Sequence, residues 1–504
     1  MTAVSRSKFS SRTIFFLVAF QAPWTLQAAD WKIVPSVGAQ VELTDNVNQA
    51  PDADKNSAII LTVTPGVSVT LLGSRDLKFA ANYSVSGVER YSDGGNSSDL
   101  NHSLAANAKA VVVENLFFVD ASANVSQVLT SLLGAPGNGN LNTGNLTTVG
   151  SYSLSPNVIK RFGTFATATA RYTLSGALFA NNANDILSNT FTASLNSGPR
   201  FNDLSWGLNY SLRDESVQGN GSNQFEHYDL SLGYALTRHI RAFGTVGFDH
   251  DTFVDSVGNN NVSGRSWTAG LGWAPNRRLS LDASIGDTYF GRTYGLNFNY
   301  RTHYSVWTAN YSEGTSDISQ LLLNTQPITA WICNGGLFFG QGLLPPTGQT
   351  NCVPLGTAPV GSVPLGVANG IFISKTLQGG AVWSKRKTSL GLTVFDVRRI
   401  FQQLVGLPED ETRGISATYG YRLKPNLSLN ASLGYTNDLV PVGLSPGLAQ
   451  NRDDKIYTAS LGLTKQFDRK TNGSLVFRRT ERHSNDSTVD FAEDDLTASL
   501  NMTF

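Results

Sequence analysis

Strict alternation of apolar and polar residues, sustained through almost the whole chain, is the feature that most limits its fold. In residues 426–436, Leu, Leu, Ala, Leu and Tyr occupy alternate positions, and Asn, Ser, Gly and Thr occupy the others. Residues 205–213 and 278–286 repeat this pattern. Because successive side chains of a β-strand point to opposite faces, each segment predicts a strand with one apolar and one polar face. The sequence therefore predicts an all-β, antiparallel protein.

A soluble β-sandwich shows the same alternation, with its apolar face turned inward. Two properties favour a transmembrane β-barrel instead. Many predicted strands have about ten residues or more, the length that a tilted strand needs to cross a bilayer. Their polar faces carry mostly small, uncharged residues, and only 15% of the 504 residues are charged. The mean hydropathy of -0.13 also fits a barrel, in which only alternate residues meet lipid.

Compact turns recur along the chain, most of them about 40 residues apart, which leaves room for two strands and one longer loop. They centre near Ser74, Glu114, Asn157, Pro199, Thr237, Pro275, Arg301, Arg386, Pro425 and Arg469. Such spacing is typical of a barrel with short periplasmic turns and longer outer loops, and it predicts about 22 strands. Counts of about 18 or 20 also fit an even-stranded barrel, since residues 286–303 and 315–372 are the hardest to assign.

The two chain ends carry export signals. Residues 1–29 combine a basic start, a short apolar run and small residues at the end, as a cleaved secretory signal peptide does. A membrane anchor is the less favoured alternative, because the apolar run is too short to cross about 30 Å of hydrocarbon as a helix. Residues 30–504 then form one barrel domain whose last strand, Leu496–Phe504, is expected to pair with the strand near Trp31–Glu42. The terminal Phe504 resembles the signal read by the barrel-assembly machinery, so the predicted location is a Gram-negative outer membrane.

If the apolar face meets lipid, the polar face lines the lumen. Strand parity then places nine charged residues inside, namely Arg90, Asp120, Arg171, Arg213, Asp229, Asp249, Asp282, Arg478 and Arg482. Rings of charged side chains select ions in other channels, but both signs are mixed here, so no preference for anions or cations follows. The plainer alternative is that these residues form solvated ion pairs that fill the lumen.

Residues 314–370 are the one long irregular segment, rich in Gly and Pro yet unusually apolar. Long loops are usually functional or disordered, and disorder favours lower hydrophobicity. We therefore expect this loop to fold into the barrel mouth or to bind a partner. Both cysteines, Cys333 and Cys352, lie in it. An oxidising periplasm favours a disulfide between them over free thiols, and no nearby His suggests a metal site.

The sequence lacks the patterns that carry catalytic chemistry elsewhere, such as HExxH, GxSxG or GxxxxGK(S/T). We therefore expect no enzymatic activity, no cofactor and no metal. Asp249-His250-Asp251 suggests a hydrolytic site in which His and Asp activate water, but a polar strand end is the simpler interpretation. Glycine-rich residues 137–144 predict an outer loop, since no helix follows to bind phosphate. The 38 basic and 38 acidic residues give no reason to expect a nucleic-acid partner.

The N-terminal third carries a more particular pattern. It consists of LTDNV at 43–47, VTPGVSV at 63–69, DLKFAANYSVSG at 76–87 and NHSLAANAKAVVVENLFFVDASANVSQ at 101–127. These residues resemble an outer-membrane family associated with exosortase and PEP-CTERM systems, whose members are described as β-barrel porins. The resemblance covers residues 40–130 and brings no catalytic residues. It implies a place beside exopolysaccharide biosynthesis and export, with polysaccharide or export components as partners besides outer-membrane lipid.

These patterns together predict a passive, porin-like channel for an exopolysaccharide or a related envelope polymer, gated by the loop at 314–370. The polysaccharide part depends on the family resemblance alone. Two alternatives stay open: a structural or adhesive barrel that conducts nothing, and a barrel hydrolase with its site near the outer rim.

Overall fold

A computed structural model describes residues 30–72, 74–136, 143–180, 185–218, 221–255, 258–317, 320, 328–333, 336–341, 352–357, 371–402, 409–442 and 450–504. The predicted signal peptide at 1–29 lies outside these residues. Within them, one 22-stranded antiparallel sheet accounts for most of the chain, and a separate three-stranded sheet lies in the longest connection. No described helix is long and apolar enough to cross a membrane.

The strands follow one another around the large sheet in chain order, and each pairs antiparallel with the next. They are β1 (Asp30–Thr44), β2 (Ala58–Leu72), β3 (Leu77–Ser92), β4 (Gly95–Val113), β5 (Phe117–Leu129), β6 (Leu146–Phe162), β7 (Ala166–Phe179), β8 (Ile186–Ser197), β9 (Leu204–Val217), β10 (Gly221–Ala235), β11 (Ile240–Asp255), β12 (Gly258–Asn276), β13 (Leu279–Thr288), β14 (Gly291–Arg301), β15 (Ser305–Asp317), β16 (Ile328–Cys333), β17 (Gly336–Gln341), β18 (Cys352–Thr357), β19 (Ile371–Lys385), β20 (Thr388–Phe401), β21 (Asp410–Lys424), β22 (Leu427–Val442), β23 (Gln450–Gln466), β24 (Thr471–Ser484) and β25 (Phe491–Thr503). Strands β16 to β18 form the small sheet, so β15 pairs directly with β19.

Pairing between the first and the last strand closes the barrel. Strands β1 and β25 run antiparallel, with Ser36 opposite Thr503 at one end and Thr44 opposite Asp495 at the other. The backbone N–H of Phe504 donates to the carbonyl of Pro35 at 2.9 Å, so the last residue extends the ladder. This closure confirms the predicted barrel, although the last strand begins earlier than Leu496.

The apolar face of the wall is its outward face, as expected of a barrel in a membrane. In β1, Val41 and Leu43 are exposed, whereas Glu42 and Thr44 between and beside them are buried on the inner face. The same alternation repeats from strand to strand, and Leu433 is 65% exposed. An apolar exterior around a polar interior is the arrangement that lipid stabilises. The β-sandwich alternative is therefore wrong.

The two ends of the barrel differ in their connections. Asp30, Phe504 and the short turns lie at one end, here called the turn end, and the remaining connections lie at the opposite loop end. The predicted turn positions fall within or beside these turns, except Asn157. That residue lies inside β6 and is 2% exposed, and the turn follows at 163–165, where Gly163 has a φ of 57°. The Pro-Asn pair at 156–157 is a turn signal that strand pairing overrides.

Connections at the loop end vary more in length than the sequence predicted. Residues 93–94 and 289–290 are tight turns, so long loops do not alternate regularly with short ones. The longest connection runs over 318–370, because β15 extends to Asp317. The sequence predicted an irregular segment at 314–370, but the backbone of this connection is regular where it forms β16 to β18. Strand β17 of this small sheet lies against β19 and β20.

Candidate functional site in the barrel lumen

Hydroxyl side chains of neighbouring strands meet on the lumen face along much of the wall. The Oγ atoms of Ser122 and Ser153 are 2.8 Å apart, and those of Ser432 and Ser460 are 2.7 Å apart. The same contact joins Thr64 to Ser86, Ser155 to Thr173, Thr245 to Thr268, Thr393 to Ser416 and Ser474 to Ser499. Because a hydroxyl both donates and accepts hydrogen bonds without carrying charge, these pairs form a neutral, wettable lining. We call the wall that these pairs line the hydroxyl zone.

Buried charged residues are concentrated where the strands approach the loop end. Among the described residues, the buried cations are all arginines, and buried carboxylates outnumber them. The set comprises Arg90, Arg213, Arg399, Arg452 and Arg482 with Glu42, Glu215, Asp251, Asp317, Asp410, Asp438, Asp454, Glu493 and Asp495. We call these residues the charged zone. Arginine suits such a site, because its planar guanidinium donates hydrogen bonds in several directions at once.

One ion pair shows how the charged zone is built. Arg399 donates from Nε to Asp410 Oδ1 at 2.8 Å and from Nη2 to Asp410 Oδ2 at 2.5 Å. The rings of Phe372 and Phe401 each lie 5.5 Å from the guanidinium carbon. A bidentate contact flanked by aromatic rings compensates the loss of water around both charges.

The charged zone also joins the first strand to the last two. Arg478 on β24 contacts Asp495 on β25, and its Nη2 lies 3.9 Å from Glu42 Oε1 on β1. Glu493 accepts hydrogen bonds from Gln49 at 2.9 Å and from Thr44 at 3.3 Å. The seam that closes the barrel is therefore reinforced by side chains at the loop end.

A short loop after β5 folds inward and binds the wall beyond that seam. We call residues 130–136 the tether loop. Arg452 donates from Nη2 to the carbonyl of Leu133 at 2.6 Å, and Arg482 donates from Nη1 to the carbonyl of Gly134 at 3.0 Å. Since β25 and β1 to β4 separate β5 from β24 along the wall, these bonds cross the mouth of the lumen.

Asn145 holds the tether loop in a compact turn. Its Nδ2 donates to the carbonyls of Ser131 at 2.8 Å and Ala135 at 2.9 Å, and its Oδ1 accepts from the N–H of Ser131 at 3.1 Å. A Cβ atom added at Gly134 would lie 2.2 Å from the Asn145 side chain, so glycine alone fits there. The turn thereby presents the carbonyls of Leu133 and Gly134 to the two arginines.

The loop between β24 and β25 fixes Arg482 from its other side. Arg482 donates from Nε to the carbonyl of Val489 at 2.8 Å. Asp486 caps the single 3-10 turn that carries this carbonyl, accepting from the Thr488 N–H at 3.1 Å and from its hydroxyl at 2.6 Å. These two hydrogen bonds hold the pKa of Asp486 below its usual value, so the cap keeps its charge.

A second link joins distant parts of the wall at the loop end. Arg213 on β9 contacts Asp317 at the end of β15, and its guanidinium carbon lies 4.1 Å from the centre of the Phe225 ring. Strands β10 to β14 separate the two partners along the wall. Strands β13 and β14 have only 10 and 11 residues, so the wall is low between β9 and β15 where the two side chains meet.

The nine residues predicted to line the lumen all lie on the lumen face, and each contacts a polar partner. The contacts are Arg90 with Asp99, Asp120 with Arg171, Arg213 with Asp317, Asp229 and Asp249 with His227, Asp282 with Arg241, Arg478 with Asp495, and Arg482 with Asp454. These contacts are ion pairs, as the plainer alternative predicted, but Arg90, Arg213 and Arg482 are buried and not solvated as it predicted. The nine do not gather into one ring, and the sequence did not single out Arg452, Arg399 or Glu493.

The suggested hydrolytic group at 249–251 does not assemble. His250 lies on the opposite strand face from Asp249 and Asp251, because neighbouring residues alternate. His227 on β10 contacts Asp249 instead, with Nδ1 at 2.6 Å, while its Nε2 lies 3.1 Å from Asp229. With both ring nitrogens bound to carboxylates, His227 has no nitrogen left to activate water.

The small sheet brings the two cysteines opposite each other. Cys333 on β16 pairs directly with Cys352 on β18. Opposed residues of antiparallel strands have Cα atoms about 4.5–5.5 Å apart, within the range that a disulfide spans. The structure describes the backbone of these two residues but not their side chains, so the disulfide stays a prediction.

Comparison with known proteins supports the fold and leaves the function open. No family model and no curated protein matches the chain. The F5-1 variant of the FrpB iron transporter from Neisseria meningitidis matches with a TM-score of 0.51 and 12% identity, over 94% of this chain and 83% of that chain. Its F3-3 variant matches with a TM-score of 0.50 and 12% identity, over 94% and 81%. At this identity the likeness concerns the fold alone, which is a closed β-barrel of the kind that outer-membrane proteins form.

Proposed function

We propose that the chain is a passive, porin-like channel that serves the export of an exopolysaccharide or a related envelope polymer in an exosortase-type system. The observation that carries this proposal is the hydroxyl zone, a neutral lining that runs along much of the wall. A polyhydroxylated polymer exchanges hydrogen bonds with such a lining without removing any charge from water. The exosortase and polysaccharide parts rest on the family resemblance of residues 40–130.

Passage would be controlled at the loop end. A barrel of about 22 strands encloses a wide lumen, which needs a plug or infolded loops if it is not to leak. The tether loop crosses the mouth between β5 and β24, and the Arg213–Asp317 ion pair joins β9 to β15. The connection at 318–370, mostly outside the described residues, is proposed as a further gate.

Export and assembly belong to the same proposal. The segment 1–29 would direct secretion, and the barrel-assembly machinery would read the last strand and Phe504. Phe504 is 61% exposed on the barrel surface, where an assembly factor has access to it. The ten short turns would then face the periplasm and the tether loop the cell exterior.

Planar-bilayer recordings of the refolded full chain test the channel directly. We expect unitary conductance steps that neutral dextrans of increasing size block until the polymer no longer enters. A charged polymer of equal size should block less. The hydroxyl zone offers it no opposite charge, and the charged zone carries both signs, so neither zone attracts it. A barrel that stays sealed, even with the tether loop released, would rule the channel out.

The structural or adhesive alternative is favoured by one observation, the two links that cross the loop end. If these links never open, the barrel is an anchor for its outer loops and conducts nothing. The bilayer recording separates the two functions. The hydrolase alternative has less support, because His250 is turned away from Asp249 and Asp251, and we propose that the chain is not an enzyme.

A further inference from the structure

The outward face of the wall is not uniformly apolar near the loop end. In β1 and β2 the outward residues there are Val41, Leu43, Ile59 and Leu61, all exposed and apolar. On the corresponding face of β20 to β24 eight residues are charged, namely the bases Arg398, Arg413, Lys455 and Arg479 and the acids Asp396, Glu411, Asp453 and Glu481. Charges are costly against hydrocarbon and tolerated at the level of the lipid headgroups. This sector of the wall therefore meets headgroups.

Three cations of this sector are exposed, whereas the carboxylates on its strands are only partly exposed. Arg413 is 59% exposed, whereas Glu411, 3.6 Å away, is 13% exposed. Arg479 donates to Glu481 and Asp494 at 2.7 and 2.8 Å, and both carboxylates are less exposed than the arginine. Lys455 on the next strand is exposed as well. The carboxylates match the cations in number and orient them, and the charged groups most accessible to the membrane are the cations Arg413, Lys455 and Arg479.

An apolar trough lies beside Arg479, the one of these cations that borders it. Leu433 projects outward between Ala417 and Ala459, its partners in the two neighbouring strands. The small alanines leave a hollow of about 410 Å³, which Tyr435 and Tyr457 also line and which Arg479 and Glu481 border. The two tyrosine rings have centroids 5.2 Å apart, and amphipathic rings favour the headgroup level. The trough thus runs from the acyl level to the charged lip.

We propose that this trough and its charged lip bind one lipopolysaccharide molecule of the outer leaflet. An acyl chain would fill the hollow beside Leu433, and the phosphates of the glucosamine headgroup would contact Arg413, Lys455 and Arg479. The occupant is a lipid because the trough faces the membrane, and it is phosphorylated because the most accessible charges of the lip are cations. If the loop end faces the exterior, the anionic lipid at this level is lipopolysaccharide. The site is independent of what passes through the lumen.

Native mass spectrometry of the refolded full chain with added lipopolysaccharide measures this binding. The variant R413Q/K455Q should bind about tenfold more weakly or worse, since each surface cation contributes to anionic lipid binding. Ala459→Phe should weaken binding by filling the trough while it keeps every charge. The control is Arg75→Gln at the turn end, where an 86% exposed arginine lies 3.6 Å from Glu114, and it should bind as the wild type does.

Two further lipids identify the ligand. Dephosphorylated lipopolysaccharide should bind the wild type weakly, about as weakly as intact lipopolysaccharide binds R413Q/K455Q. Phosphatidylglycerol should not displace intact lipopolysaccharide from the wild type. Equal binding by R413Q/K455Q and the wild type would overturn the site, and efficient displacement by phosphatidylglycerol would overturn the choice of ligand. Heat-dependent gel mobility shows that each variant is folded. A variant that fails this check is replaced by Arg413→Gln alone, for which a smaller but measurable weakening is expected.

Discussion

The hydroxyl zone and the charged zone occupy the same inner face of the same strands, yet they are built on opposite principles. Pairs such as Ser432 and Ser460 are neutral, partly exposed and interchangeable with other small polar residues. Pairs such as Arg399 and Asp410 are buried, so each charge depends on its partner. A buried ion lacks the water that would otherwise stabilise it, and the loss of its partner is costly. The comparison implies that the loop end fixes one arrangement of the mouth, whereas the rest of the lumen tolerates change.

The largest expected effect comes from breaking a buried pair of the charged zone. Arg399→Met leaves Asp410 buried without its bidentate partner and should lower the free energy of unfolding by about 3–5 kcal/mol. Urea unfolding of the folded barrel in lipid vesicles measures this loss. The double variant R399M/D410L should recover most of it, because two apolar side chains need no partner. A loss below 1 kcal/mol, roughly that of an exposed pair, would erase the contrast between the zones.

A smaller effect is expected from Gly134→Ala in the tether loop. The new methyl group would overlap the Asn145 side chain, so the turn must open and its carbonyls must leave Arg452 and Arg482. We expect a loss of about 1–3 kcal/mol, typical of backbone strain at one position. Limited proteolysis should cut the variant near residue 134 and spare the wild type. Asn145→Ala removes the side chain that the new methyl group would overlap. The double variant G134A/N145A should therefore be little more sensitive to protease than Asn145→Ala alone.

The ion pair of Asp120 and Arg171 also lies on the lumen face, but unlike the pairs of the charged zone it is in contact with water. Its atoms are 3.0 Å apart, but the two side chains are 33% and 39% exposed. Asp120→Asn should therefore change stability by about 0–1 kcal/mol, and high salt should hide even that. Urea unfolding at low and high ionic strength measures it. A loss as large as that of Arg399→Met would mean that water does not reach this part of the lumen.

The smallest effect is expected in the hydroxyl zone. The double variant S432A/S460A removes one hydroxyl pair and replaces both partners together, so it should cost less than about 1 kcal/mol. Conductance in simple salt should stay unchanged, while residence of a neutral dextran in the channel should shorten. An identical dextran residence time would show that the hydroxyl lining does not contact the polymer.

Much of this architecture follows from alternation alone. Parity placed Arg90, Arg213 and Arg482 on the lumen face, and the terminal strand paired with β1 as expected. Parity also implied that His250 lies outside once Asp249 is inside. The strand register that brings His227 to Asp249 has no comparable signal in the sequence.

The contacts that cross the mouth were beyond prediction from the sequence. Arg452 on β23 and Leu133 in the tether loop are far apart in the chain, and β23 does not pair with β5 or β6, so no local pattern links them. The tether loop precedes glycine-rich residues 137–144, for which the sequence predicted only an outer loop. Its fold depends on Asn145 and on two distant arginines, and such loop geometry has no periodicity to detect.

We propose that the lumen is a channel whose mouth the tether loop holds narrow. Single-channel recording of the wild type and of R452Q/R482Q in planar bilayers tests it most directly, with Arg75→Gln at the turn end as the matched control. We expect conductance steps in the wild type, a severalfold larger conductance in R452Q/R482Q, and no change in Arg75→Gln. Equal conductance in the folded double variant and the wild type would contradict the claim, and the absence of conductance in both would show that the barrel is not a channel.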